Sequence, residues 1–284
     1  MRHTCSLYII GLLAGFTLLF GCDAPAPVSA PTVRTYRPST ETALRTAARS
    51  VADATAPTPS GFDLGYLMGK FDPAVHPDFI EIPARYADRA GRYLRKDALD
   101  AFLAMREAAA KDSIELKIVS AARNFANQKS IWEAKWTGER LVEEGENLAV
   151  TTPDPIARAR RILRWSSMPG SSRHHWGTDI DLNNLNNAYF EGGKGLREYQ
   201  WLTANAATFG FCQPYSPKGG SGQRAFGYEE EKWHWSYLPV ALPLTELAES
   251  QLRNELITGF KGAETAGEID VKGKYVLGIS GVCR

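Results

Sequence analysis

Ser172-Arg173-His174-His175-Trp176-Gly177-Thr178-Asp179-Ile180-Asp181 is the stretch on which the reading of this chain turns, taken together with Glu231-Lys232-Trp233-His234 further on. The two segments hold three of the chain's five histidines, each within a few residues of a carboxylate. Neutral imidazole nitrogen and carboxylate oxygen suit Zn²⁺, and a catalytic zinc takes three protein ligands and leaves a fourth position for water. The composition therefore points to a hydrolase with one zinc ion. The remaining residues are read for what such a site needs.

Thr178–Leu182 has the pattern of a short strand, which puts Asp179 and Asp181 on one face and Ile180 on the other. His174 and His175 are adjacent, and adjacent side chains on extended chain diverge, so at most one of them binds an ion. Asp179 is open to three readings: an exchangeable ligand, a carboxylate behind the ligands, or a hydrogen-bonding strand residue. Glu231, three residues before His234, can serve as a general base, although the run Glu229-Glu230-Glu231 taken alone reads as a solvated acidic surface. Arg123 follows the alternating segment Ile114–Ser120 and is a candidate for holding the charge that develops on a carbonyl oxygen. His76, beside Pro77 in an irregular region, reads as structural.

Elsewhere the pattern is mixed helix and strand. Asp97 is expected to cap a helix reaching about Lys111, with Leu99, Phe102, Leu103 and Ala110 at helical spacing. Asn124 or Asn127 caps a second helix through Ile131, Trp132 and Trp136, and residues 138–153 read as loop. Asp154-Pro155 opens a third helix with Ile156, Ala159, Ile162 and Leu163 as its buried stripe. A fourth covers about Leu196–Phe209 and stops at Gly210. Trp233–Tyr237 reads as a strand, Leu244–Leu256 as an amphipathic helix, and Tyr275–Ile279 as a final strand. Residues 214–222 form a Pro/Gly/Ser loop able to border a site.

The N-terminus stands apart. Leu7–Phe20 is an apolar run of roughly 14 residues, short of the about 20 that span a membrane and in keeping with a signal peptide. It ends in Leu19-Phe20-Gly21-Cys22, similar to a bacterial lipobox with Phe20 in place of the usual small residue, so lipidation at Cys22 is expected. Residues 1–21 are then the signal, 22–60 a Pro/Ala/Thr-rich tether that cannot bury enough apolar surface to order itself, and 61–284 the catalytic domain with a C-terminal helical extension. The expected location is the cell envelope, outside the cytoplasmic membrane and tethered through the lipid. Once the leader is removed, Cys212 and Cys283 remain for a single disulfide in an oxidising compartment. A formal net charge of +1 argues against a nucleic-acid binder, which normally carries a basic face.

Three motifs in order, Ser120-x-x-Arg123-x-x-x-x-Gln128, Ser172-x-His174-x-x-Gly177-x-x-x-Asp181 and Glu231-x-x-His234, resemble the VanY-type D-alanyl-D-alanine carboxypeptidases of zinc peptidase family M15. The resemblance covers roughly Lys96 to Tyr237. It implies that His174, Asp181 and His234 bind zinc, that Glu231 is the general base, that Arg123 stabilises the carbonyl oxygen, and that Ser172 and Gln128 contact substrate. It also implies an α+β fold of the Hedgehog/DD-peptidase kind, with a small, mainly antiparallel sheet carrying the zinc site and helices packed on it. Ala122 departs from the tyrosine common before the arginine, and Asp179 from a small residue. The expected activity is removal of C-terminal D-alanine from peptidoglycan stem peptides by a monomer. L,D-carboxypeptidase or endopeptidase action on the same peptides is the alternative, as is a non-catalytic wall-binding lipoprotein.

Overall fold

The computed structural model describes residues 61–219 and 224–284. The leader at 1–21, Cys22 and the tether at 22–60 lie outside the described residues. Among the described residues no helix is long and apolar enough to cross a membrane.

The domain opens with a single helical turn, α1 (Leu64–Leu67), capped by the Asp63 side chain, which accepts from the Tyr66 amide. A two-stranded antiparallel ribbon follows, β1 (Phe79–Glu81) with β2 (Tyr93–Arg95). β2 runs directly into α2 (Lys96–Lys111), whose N-cap is Arg95 rather than Asp97; Asp97 lies in its first turn. Of the alternating segment before Arg123, only β3 (Ile118–Ser120) forms ladder pairs. Asn124 caps α3 (Phe125–Trp136), its side chain accepting from the Asn127 amide at 2.9 Å.

Within the segment read as loop lies a short α4 (Leu148–Thr151), started by an Asn147 cap. Asp154 caps α5 (Pro155–Ile162) as its side chain and the following proline predict. Then come β4 (Asp179–Leu182), α6 (Gly193–Asn205), a 3-10 turn ending at left-handed Gly210, and β5 (Phe211–Cys212). β6 (His234–Tyr237) feeds without a break into α7 (Leu238–Gln251). This helix starts earlier than its apolar spacing indicates, because Pro239 suits the first turn, and it tolerates Pro243 inside. A last short helix is α8 (Ala266–Ile269). The expected strand at Tyr275–Ile279 does not form: Lys272–Val276 is a π-helical turn. Apolar residues close together say that a segment is buried but not which backbone buries it.

β3, β4, β6 and β5 form one antiparallel sheet in that order. The class is α+β, as read from the sequence, with the sheet small and antiparallel. One apolar cluster gathers α2, α7 and the back of this sheet, including Leu99, Phe102, Ile180, Trp235 and Leu244. A second unites α3, α5 and the C-terminal segment around Trp132, Ile162, Ile257 and Phe260, and includes Cys212 and Cys283. Those two cysteines are bonded, 2.03 Å between sulfurs, which ties the chain's end to β5.

Candidate metal centre

Register in the sheet assembles the site. Asp179 pairs with Ser236 and Asp181 with His234 across β4 and β6. Directly opposed residues share a face, and alternate residues along each strand return to it. Asp179, Asp181, His234 and Ser236 thus form one polar face, while Ile180 and Trp235 enter the core behind it. On the other edge Ser120 pairs with Asp181, so β3 delivers Arg123 to the same region.

His174 arrives by a different route. Residues Arg173–Trp176 form one 3-10 turn, closed by Gly177 at φ 71°. That left-handed conformation suits glycine, and a Cβ there would lie 2.3 Å from the Phe79 ring. The turn aims His174 at the sheet: its Nε2 lies 3.4 Å from Asp181 Oδ2 and its ring centroid 4.7 Å from that of His234. His174, Asp181 and His234 each offer a ligand atom within 4.8 Å of one another, and all three are buried.

Hydrogen bonds select the tautomers. His174 Nδ1 contacts the Ala121 carbonyl oxygen at 2.9 Å, so it carries the proton and leaves Nε2 with a lone pair facing Asp181. His234 Nε2 contacts Asp179 Oδ2 at 2.8 Å, which leaves Nδ1 facing Asp181 Oδ1 at 3.1 Å and Glu231 Oε2 at 3.2 Å. His175 is spent on structure. Its Nδ1 donates to the Arg123 carbonyl at 2.6 Å and its Nε2 accepts from the Gly170 amide at 3.0 Å, so neither nitrogen is free for an ion.

Asp179 is the hub behind His234. It accepts from Arg173 Nε at 3.1 Å and from the hydroxyls of Thr178 and Ser236 at 2.7 Å each. Burial alone would raise its carboxyl, but Arg173 and His234 outweigh burial and hold it low. Arg173 also donates to the hydroxyls of Thr245 on α7 and Ser236, and among the described residues Asp179 is the one carboxylate paired with it. The sequence offered no sign of this arginine's role beyond its position beside His174.

The site asks for a cation. Among the described residues, buried Asp181 Oδ1 has no hydrogen-bond partner as long as the His234 nitrogen opposite presents its lone pair. Burial lowers the proton affinity of His234, yet Asp179, Asp181 and Glu231 together raise it well above the usual value. Two imidazole lone pairs and a carboxylate converging on one point form a donor set that fits zinc. The neighbours reinforce this: burial raises the Glu231 carboxyl and, with Arg123 nearby, lowers His174.

Of the acidic run, Glu229 pairs with Arg164 and Lys218, and Glu230 accepts from Tyr199. Glu231 alone turns inward and is 5% exposed. A cavity of about 260 Å³ lies in front of the cluster, with Arg123, Gln128, Glu231 and Tyr215 in its wall. Arg123 donates to Ser120 Oγ, and its Nε has no partner. Gln128 donates to the Ser167 carbonyl and keeps an unpartnered Oε1. Ser172 Oγ is buried without a partner and is not part of the cavity wall. His76 lies away from the cluster, among Tyr66, Phe71 and Phe79. Lys135, Trp165 and Tyr215, unmarked by the sequence reading, also border the cavity.

The family model for VanY, D-alanyl-D-alanine carboxypeptidase, matches residues 91–240, more than half of the chain. A putative carboxypeptidase of Bacillus subtilis (strain 168), YodJ, is 30% identical over 151 residues, 52% of this chain and 47% of that one. The chain thus spans about half the length of that relative. An uncharacterised protein of Haemophilus influenzae is 32% identical over 91 residues, 31% of this chain and 61% of its own. Among solved structures, the LdcB LD-carboxypeptidase aligns with TM-score 0.44 and 23% identity, covering 73% of this chain and 78% of that one. VanYB in complex with D-alanine-D-alanine aligns with TM-score 0.42 and 21% identity, over 67% and 86%.

Proposed function

The chain belongs to the VanY D-alanyl-D-alanine carboxypeptidase family, and from that premise we propose that it is a zinc-dependent carboxypeptidase removing C-terminal D-alanine from peptidoglycan stem peptides. One observation carries the reading: the convergence of His174 Nε2, His234 Nδ1 and the Asp181 carboxylate beside an inward-facing Glu231. Held by His174, Asp181 and His234, zinc would supply Lewis acidity and lower the pKa of an attacking water.

The protein's own groups do the rest. Glu231 takes the water's proton and returns it to the leaving amine. Its burial favours the protonated form more than water does, which suits a group that must both accept and give a proton. Arg123 donates to the carbonyl oxygen and holds the charge of the tetrahedral intermediate in a half-buried cavity. Gln128 Oε1, unpartnered in the cavity wall, is the proposed contact to the peptide backbone; Ser172 Oγ, unpartnered but set behind that wall, is proposed to reach the peptide only after side chains in front of it shift. Asp179 keeps His234 in the tautomer that presents Nδ1.

The enzyme is proposed to work as a monomer in the envelope, outside the cytoplasmic membrane, anchored through lipid on Cys22. Incubation of purified protein with a muramyl pentapeptide, followed by mass spectrometry, tests the activity. Loss of one D-alanine, abolished by a chelator and restored by zinc, is expected. Loss of a residue from a tetrapeptide only would make it an L,D-carboxypeptidase, cleavage of cross-linked dimers an endopeptidase, and bound zinc without turnover on any wall peptide a binding lipoprotein.

A further inference from the structure

The cavity beside the candidate metal centre opens into a second basin of about 570 Å³, and the two share Lys135, Arg140, Trp165, Leu185 and Trp233. The shared wall is unevenly charged. Arg161 pairs with Glu146, and Arg164 with Glu143; Glu143 also accepts a hydrogen bond from the Trp165 indole. Among the described residues neither Lys135 nor Arg140 has a carboxylate within 4.0 Å. Lys135 is not a solvated surface lysine, for its Nζ is held by Ser166 Oγ at 2.5 Å. Burial, with Arg140 and Arg123 nearby, pushes its amine down to about 8.

Three cations, Arg123, Lys135 and Arg140, therefore border one cavity. The carboxylates in its wall, Asp181 and Glu231, belong to the metal cluster. Arg123 and Lys135 are partly removed from solvent, where like charges are costly unless an opposite charge joins them, and exposed Arg140 adds its charge at the rim. An anionic group entering from the substrate would relieve that cost, whereas an amide would not.

Resting on the peptidase reading, we infer that Lys135, supported by Arg140, forms a subsite for a carboxylate of the wall peptide. That carboxylate is either the free C-terminus beyond the cleaved bond or the side-chain carboxylate of a diaminopimelate-type third residue. In either case a charge-assisted hydrogen bond with the lysine ammonium fixes the peptide against the metal centre.

Four pentapeptides test the subsite, with the C-terminus as acid or amide and the third-residue side chain as acid or amide. Zinc-loaded full-chain protein should prefer the acid at one of the two positions by about 10- to 100-fold in kcat/KM, mostly through KM, the range of a hydrogen bond to a charged group. Lys135→Met should collapse that preference to under about 3-fold, Lys135→Arg should keep most of it, and Arg140→Gln should reduce it partly. The position at which the preference collapses identifies the source of the carboxylate. Wild-type indifference at both positions, or a preference that survives Lys135→Met, would overturn the subsite. Calorimetric binding of the same peptides to zinc-loaded Glu231→Gln, with and without Lys135→Met, reads it without turnover. No cleavage of any peptide would then sink the peptidase reading, while the binding preference still decides the subsite.

Discussion

At the level of single residues, the site depends on which nitrogen of each histidine carries the proton. His174 and His175 are neighbours in sequence, yet one leaves a lone pair toward Asp181 and the other uses both nitrogens on backbone groups. Asp179 does for His234 what the Ala121 carbonyl does for His174. Asp179→Asn is therefore expected to weaken zinc binding by about 10- to 100-fold in a chelator competition. It should also destabilise the fold by about 3 kcal/mol, since buried Arg173 loses its counter-charge. Glu231→Gln should retain zinc by elemental analysis and lose about 10²- to 10⁴-fold in D-alanine release. Full activity in that variant would remove Glu231 from the mechanism. Lys135 supplies a pH signature. Its pKa falls from an ordinary 10.5 to about 8 in the folded protein, so between those values the unfolded chain binds more protons. Stability at this group then rises as pH increases through that window. Urea unfolding followed from pH 7 to 10 should show the rise in wild type and a smaller one in Lys135→Met.

At the level of elements, two antiparallel strands and one turn build the cluster. The β4–β6 register sets Asp181 opposite His234, and a shift of one residue would bury both ligands on the core side. The turn carrying His174 depends on Gly177, whose positive φ and crowding by Phe79 leave no room for a side chain. Gly177→Ala should cost at least about 1–3 kcal/mol from backbone strain alone. It should also lower zinc affinity, because the displaced turn carries His174; unchanged stability and zinc content would contradict this account. α3 starts where β3 ends, so the element that brings Arg123 to the cavity also brings Gln128 and Lys135. That continuity spaces the arginine proposed to hold the carbonyl oxygen from the groups proposed to touch the rest of the peptide.

At the level of the whole molecule, the second apolar cluster joins α3 and α5 to the C-terminal segment, and the disulfide closes it. The bond encloses a sequence separation of 71 residues that includes Glu231 and His234. By the loop-entropy relation a closure of this length stabilises by about 4 kcal/mol. Replacing both cysteines with alanine should lower the melting temperature markedly, and reductant should do the same to wild type. Zinc binding by the folded chain should raise the melting temperature in a concentration-dependent way, reversed by a chelator. A melting curve indifferent to both zinc and chelator would deny the cluster a metal.

The sequence by itself determined the chemistry-bearing residue types, their spacing and most of the helices. Asp154-Pro155, Asn124 and Gly210 mark boundaries through local backbone chemistry, which a short window contains. The strand reading of Thr178–Leu182 placed Asp179 and Asp181 on one face for the same reason. Local pattern could not reach the choice between His174 and His175 without the family resemblance, the inward turn of Glu231 out of an acidic run, or the pairing of Arg173 with Asp179. Each depends on partners distant in sequence, such as Ala121, Arg123, His234 and Thr245. The segment read as a strand at Tyr275–Ile279 instead begins in the π-helical turn Lys272–Val276 and forms no strand, because its surroundings, not its composition, chose the backbone. Only the tertiary structure decided where lone pairs and unpaired charges meet, since a convergence of groups exists once strands and turns from separate parts of the chain are packed together.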